Sequence, residues 1–331
     1  MARFLNSLLL SNDPEYAIEQ FKKESLDWKP FLAFLEKNKV TVRTLQKLRE
    51  QGEKLPEDAE KALSLAEKKK KQKLQVISRV DAIFSDNGVK YVLLKFRDSL
   101  PDLGRDTDCL VGKHFKHADW LIRSNFPAKP ISLSLSDRLT KSKSSFFIGE
   151  VELELYGKIT QLGESYLQSD RIFERATKMV VDGLRIPVPS FEDNLLIACV
   201  HSMYRHRRIK YSELLVAVKA ISSNNVDWDY IFKTASEAGI LHGLLFFLST
   251  AKRLLNQSIR RPENMQFEQL SWTKSFPAMI PTLRINQFYA RKFLNELRSL
   301  RLSSASRVGL IPFIGILAEL SEKLNLGLRV W

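Results

Sequence analysis

Cysteine is scarce in this chain: Cys109 and Cys199 are the two among 331 residues. Both sit in apolar segments, so a disulfide framework is excluded by count and the pair reads as buried thiols of a reducing compartment. Long apolar runs are missing too. No stretch approaches the ~20 residues of a spanning helix, and the longest candidate, residues 308–320, is broken by Pro312 and Gly315. The opening MARFLNSLLLSNDPE has a short apolar centre and no small-residue cleavage site after it, so a signal peptide is rejected and the expected location is cytoplasmic. The sequence has no Gly-x-x-x-x-Gly-Lys-[Ser/Thr], no Gly-x-Gly-x-x-Gly, no Cys-x-x-Cys and no Gly-x-Ser-x-Gly. P-loop, dinucleotide-binding, zinc-ribbon and hydrolase-elbow chemistry therefore lack their hardware. There is no internal repeat and no low-complexity linker.

Acid is in short supply: 38 Asp and Glu stand against 52 Lys and Arg, a net charge of +14. A basic surface suits anionic partners, whether nucleotides, nucleic acid or acidic membrane. Residues 251–331 hold 13 Lys and Arg against 5 Glu and no Asp, so this tail alone carries +8. Otherwise the composition is that of a globular protein, 44% hydrophobic and 27% charged, long enough for two domains or one large composite.

The periodicity divides the chain into residues 1–88, 89–189 and 190–331. The first part reads as helical. Asn12 or Asp13 can cap a helix with Pro14 in its first turn, and a second helix is expected from Pro56 to about Phe84. Its run Lys68–Lys71 interrupts no apolar stripe and reads as a solvated face, and Asn87-Gly88 ends it. Then the period changes. Val89–Leu94 reads as a strand, 97–105 as a loop and Asp106–Val111 as a second strand. A helix over 114–126 follows, then strands at 146–148 and 151–156 about Gly149, and an extended piece at 185–188. This order suggests a small mixed sheet with helices on one face, an α+β core. From Ser190, whose side chain with Asp193 fits a capping box, helices are expected over 191–206, 211–222, 227–238, 241–256, 285–301 and 312–325.

Asp106 and Asp108 head the apolar run 109–111, and Glu150, Glu152 and Glu154 follow about forty residues later. Carboxylates two apart on a strand point to one face. Joined by a third from a neighbouring strand, they make a cage for a hard divalent cation, the equipment of metal-assisted phosphoryl or nucleotidyl transfer. The bland alternative is a row of hydrated acids at strand starts. Lys95, Arg97, Ser99 and Arg105 lie close in sequence and offer charge and hydroxyl to phosphates. Near the end of the helix that follows Ser190, Arg205, Arg207, Arg208 and Lys210 make either an anion clamp or a complement to the helix dipole. His201 and His206 are five apart, not the four of a helical zinc pair, and read as structural.

The segment YVLLKFRDSLPDLGRDTDCLV resembles the uncharacterised nucleotidyltransferase family of the DNA polymerase beta superfamily. Leu93, Leu94 and Lys95 match its Leu-Leu-Lys, and Arg105, Asp106, Asp108, Leu110 and Val111 match its Arg-Asp-x-Asp-Leu-Leu-Val strand. The helical flanks and the entry Pro187–Pro189 before a His-containing helix agree as well. The resemblance implies a Mg²⁺-dependent (or Mn²⁺-dependent) enzyme that transfers a nucleoside monophosphate from an NTP such as ATP to a hydroxyl. It implies Asp106, Asp108 and Glu152 as catalytic carboxylates, with Glu152 at the position of the family's third Asp and Glu154 at that of a His. Glu152 ranks ahead of Glu154 as the third metal ligand. The pattern departs at Phe96, where the family has Gly beside the phosphates. Charge favours RNA, tRNA included, as acceptor over a small molecule or a protein. The competing classes are a catalytically weak nucleic-acid-binding module that keeps the fold, and a membrane-surface or partner-binding protein using the basic C-terminal helices.

Overall fold

The computed structural model describes residues 2–10, 19, 27–104, 106–133, 137, 141–161, 164–205 and 209–255. The expected helix after Asn12, the helices at 285–301 and 312–325, and most of the +8 tail lie outside these residues.

Four helices open the chain: α1 (Ala2–Leu10), α2 (Trp28–Asn38), α3 (Thr41–Glu50) and α4 (Glu57–Asp86). Three acids in the first turn of α4, Glu57, Asp58 and Glu60, complement its dipole. The helix stops at Asn87, before Gly88 at φ +66°, where a side chain would be strained. At 30 residues α4 is about 45 Å long. Lys68, Lys69 and Lys71 are exposed on it, and Lys70 pairs with Asp182 at 3.0 Å.

The sheet follows: β1 (Val92–Leu93), β2 (Asp106–Leu110), β3 (Lys129–Pro130), β4 (Lys143–Ile148) and β5 (Val151–Tyr156), in the spatial order β1-β2-β5-β4-β3. The β2–β5 pair is parallel and the others antiparallel. α5 (Phe96–Ser99) lies between β1 and β2, and α6 (Phe115–Asn125) follows β2. The β4–β5 hairpin turns at Gly149, whose φ of +60° is the handedness such a turn demands. A small pair, β6 (Ile159–Gln161) with β7 (Glu164–Leu167), comes next. Then come α7 (Ser169–Arg175) and a second pair, β8 (Thr177–Val181) with β9 (Leu184–Val188). The last elements are helical: α8 (Phe191–Cys199), capped by Ser190 Oγ accepting from the Asp193 amide, a π-helical turn Val200–Arg205, α9 (Tyr211–Ser222), α10 (Trp228–Glu237) and α11 (Leu241–Leu255). No helix among the described residues is long and apolar enough to cross a membrane.

The expected strand at Val89–Leu94 shortens to two residues because Lys95 turns the chain at φ +60°. The loop at 97–105 contains part of α5. The sheet is also covered on both faces rather than one. Leu93, Cys109, Val111, Leu153 and Leu155 point into a core shared with the second half of α4 and with α6. On the opposite face Val92, Leu94, Leu110 and Tyr156 join a second core, built from α1 to α3, the start of α4, and α8 to α11. Both cysteines are buried free thiols.

Candidate active site

Period-two alternation decides the chemistry of the second face. Asp106 and Asp108 alternate with the buried Thr107 and Cys109, so the carboxylates share a side of β2. In the parallel ladder Asp106 lies opposite Glu152 and Asp108 opposite Glu154. The four acids therefore line one face where the two cores meet. Oxygens of Asp106, Asp108 and Glu154 all lie within 4.8 Å of one another. This reverses the order expected for the third carboxylate. Glu152 stands at the strand entrance opposite Asp106, with Lys73 among its electrostatic neighbours, while Glu154 stands opposite Asp108.

Asp108 is 6% exposed, and its Oδ2 is paired with Lys95 Nζ. Its Oδ1 has no hydrogen-bond partner among the described residues. Burial opposes the charge, but the Lys95 ammonium and the nearby Arg205 overcome it and hold Asp108 well below the usual carboxylate range. Glu154 is pushed up instead, by burial and by the Asp108 charge, although Lys143 at 2.9 Å and the Tyr156 hydroxyl work to keep it ionised. Three oxygen donors, all carboxylate, with one buried lone-pair site left over, fit a Mg²⁺ or Mn²⁺ ion.

A cleft of about 80 Å³ opens in front of Asp106 and Asp108. Lys95 and Ser99, both singled out in the sequence, line it, and Ser99 Oγ donates to the Lys95 carbonyl at 2.9 Å. Arg97 turns elsewhere and donates to Thr177 Oγ1 at 2.6 Å. Arg205 donates to the Tyr156 hydroxyl at 3.2 Å, on the far side of Asp108 from the lysines of the cleft. Lys210 precedes α9, and its amide donates to Glu213 Oε2 at 2.8 Å. Arg105, Arg207 and Arg208 lie outside the described residues. Phe96 needs no glycine conformation, because the positive φ falls on Lys95 and the Phe96 ring is 5% exposed in the sheet core. His201 is structural in its contacts: its Nδ1 meets Glu213 Oε1 at 2.7 Å, and burial followed by Lys95 and Arg205 pushes its pKa far down.

Two cleft residues escaped the sequence reading, Lys39 and Lys73. Lys73 is 4% exposed on α4, and its ammonium donates to the carbonyls of Gly104 at 2.6 Å and Asp106 at 2.8 Å. Burial lowers its pKa to about 8, with Asp106 and Asp108 opposing the shift. The one available signal was a lysine on the apolar stripe of a helix, between Leu63 and Leu74. Lys39 follows α2 in the left-handed conformation, and only the hydrogen of Gly104 separates that backbone from Asp106 Oδ1. A Cβ at Gly104 would lie 3.0 Å from Oδ1 and 3.4 Å from Lys39 Nζ.

No curated protein and no solved structure matches the chain. A model of the family described as uncharacterised nucleotidyltransferase matches residues 105–256, from the entrance of β2 to the end of α11. That span holds the Asp-x-Asp strand, Glu152, Glu154 and Arg205, and leaves Lys39, Lys73 and Lys95 to the part before it. Residues 105–256 of this chain belong to that nucleotidyltransferase family.

Proposed function

We propose that the protein transfers a nucleoside monophosphate from an NTP to a hydroxyl acceptor, with Mg²⁺ or Mn²⁺ as its cofactor. The observation that carries this reading is the buried Asp108, one oxygen unpartnered, grouped with Asp106 and Glu154 at the mouth of a lysine-lined cleft. Asp106, Asp108 and Glu154 would hold the cation, with Glu152 beside Asp106. A bound divalent cation supplies positive charge at the reacting phosphoryl group. The chain's own cations do the rest of the electrostatic work: Lys39, Lys73 and Lys95 face the space where a triphosphate fits and offset its charge. Ser99 adds a hydroxyl to that wall. In the step itself the acceptor oxygen forms a bond to the α-phosphorus and the bond to the β-phosphate oxygen breaks. Pyrophosphate leaves with the electron pair, and the hydroxyl proton passes to a carboxylate, for which the half-buried Glu152 is the nearest outside the group of three. Charge alone supports RNA or tRNA as the acceptor, and much of that charge sits in residues 251–331.

Isothermal titration of ATP, GTP, CTP and UTP with Mg²⁺ or Mn²⁺ tests the reading. Metal-dependent binding of at least one NTP by the wild type is expected, with loss in Asp106→Ala/Asp108→Ala. Absence of such binding in the wild type would leave a nucleotidyltransferase fold without the reaction. The pairing of Lys95 with Asp108, and of Lys143 and Tyr156 with Glu154, is the observation on the side of that second reading.

A further inference from the structure

Asp108 is a wall of two cavities, not one. The cleft with Lys39 and Lys73 lies on one side. A second pocket, of about 30 Å³, lies on the other and shares Leu94, Lys95, Asp108 and His201 with the first. Group transfer needs two reactants meeting at one phosphorus, roughly in line, and a carboxylate flanked by two cavities provides for that. The two cavities differ in chemistry. The first is rich in ammonium groups. The second has Tyr156, Ile159, Tyr166, Ile197 and Val200 for walls, with Arg205 and Lys95 against the single acid Asp108.

Its back wall is the π-helical turn Val200–Arg205. An i→i+5 turn brings Val200 and Arg205 to one side, and both line the pocket along with His201. Such turns interrupt α-helices at a cost and recur at functional sites. Here the turn faces the guanidinium towards the phenol of Tyr156 and the carboxylate of Asp108.

Resting on the nucleotidyl-transfer reading above, we infer that this second pocket receives the acceptor. The acceptor is a small hydroxylated molecule with an apolar body and one anionic group, not the end of an RNA. The apolar body meets Ile159, Ile197 and Val200. The anionic group answers the excess of cation, two against one, on the pocket's wall. The hydroxyl is then delivered next to Asp108, opposite the triphosphate. A polynucleotide end calls for an open cationic groove with stacking platforms along it. This pocket is narrow, and its aromatic Tyr166 is buried against Tyr204, ring centres 5.5 Å apart.

The test uses the full chain, Mg²⁺ and α-labelled NTPs with cell extract separated into a low-mass filtrate, RNA and protein. Wild type is expected to label a product in the filtrate. Thr160→Trp, at the half-buried rim of the pocket, is expected to lower that labelling about 100-fold while titration shows NTP binding within twofold of wild type. Ile159→Phe, a smaller filling of the same wall, gives an intermediate loss, and thermal melting certifies the fold of each variant. Label appearing in RNA or protein, or filtrate labelling untouched by both folded variants, overturns the inference while leaving nucleotidyl transfer intact. Failure of the wild type to bind any NTP with metal overturns the reading beneath it as well.

Discussion

The two hydrophobic cores differ in how they are drawn from the chain. The sheet core takes its members from Leu74 to Val188, a nearly continuous stretch. The helical core joins residues Phe4–Leu63 to residues Leu195–Ala251, segments separated by the whole sheet. The candidate site lies on the seam. Asp106, Asp108 and Lys95 come from the sheet, Lys39 from the first helices, and Asn194, His201 and Glu213 from the last ones. Chemistry placed at a seam depends on both sides, so damage remote from the carboxylates in either core should reach them.

The largest effects test whether the cores stand or fall together. Phe31→Ala and Phe247→Ala in the helical core, and Phe146→Ala in the sheet core, each remove a fully buried ring. Each is expected to cost about 3–5 kcal/mol in urea unfolding, as a single transition because α4 contributes to both cores. Two separated transitions in any of the three would break the comparison. Arg43→Ala comes next. Arg43 Nε donates to Asp102 Oδ2 at 2.5 Å and its other nitrogens reach the Leu100 carbonyl, tying α3 to the chain that leads into β2. Stranding the buried Asp102 is expected to cost about 3 kcal/mol, and Mn²⁺ titration should show weakened metal binding too.

A middle-sized test acts on the helical core alone. A Cβ at Gly243 would meet Tyr204 Oη at 2.3 Å, so Gly243→Ala should destabilise by about 1–3 kcal/mol. Because Tyr204 packs on Tyr166, labelling should fall more than NTP affinity does. Smaller still is Gly104→Ala. The new methyl group presses on Asp106 Oδ1, and Mn²⁺ affinity is expected to fall about tenfold, roughly 1.4 kcal/mol, with the melting temperature nearly unchanged. An unchanged affinity would show that Asp106 gives way freely and is not held for a metal.

Legibility in the sequence followed the same division. The elements of the sheet core were readable because their partners are local. The β4–β5 strands flank Gly149, α6 repeats its apolar residues at helical spacing, and Asp106–Leu110 follows its loop directly. The helices of the second core were readable one at a time, down to the ends of α9, but nothing local says that Leu8, Leu45 and Phe247 belong to one interior. The site suffered from the same limit. Asp106 and Asp108 announce themselves by spacing, whereas Lys73 is visible only as an ammonium on an apolar stripe and Lys39 as one surface lysine among many. Glu152 and Glu154 share a face, so spacing could not rank them. The parallel register and the grip of Lys143 and Tyr156 on Glu154 do.

The split origin of the helical core also governs how the protein is made. Its first half, ending at Leu63, leaves the ribosome before its second half, beginning at Leu195, has been synthesised. The gap of about 130 residues takes on the order of ten seconds at roughly 5–20 residues per second. For that interval Phe4, Phe31, Leu45 and Leu48 have no completed interior to enter, while the sheet core can close behind them as soon as Val188 emerges. The nascent chain is therefore most in need of a chaperone during synthesis of the very segment that carries its carboxylates.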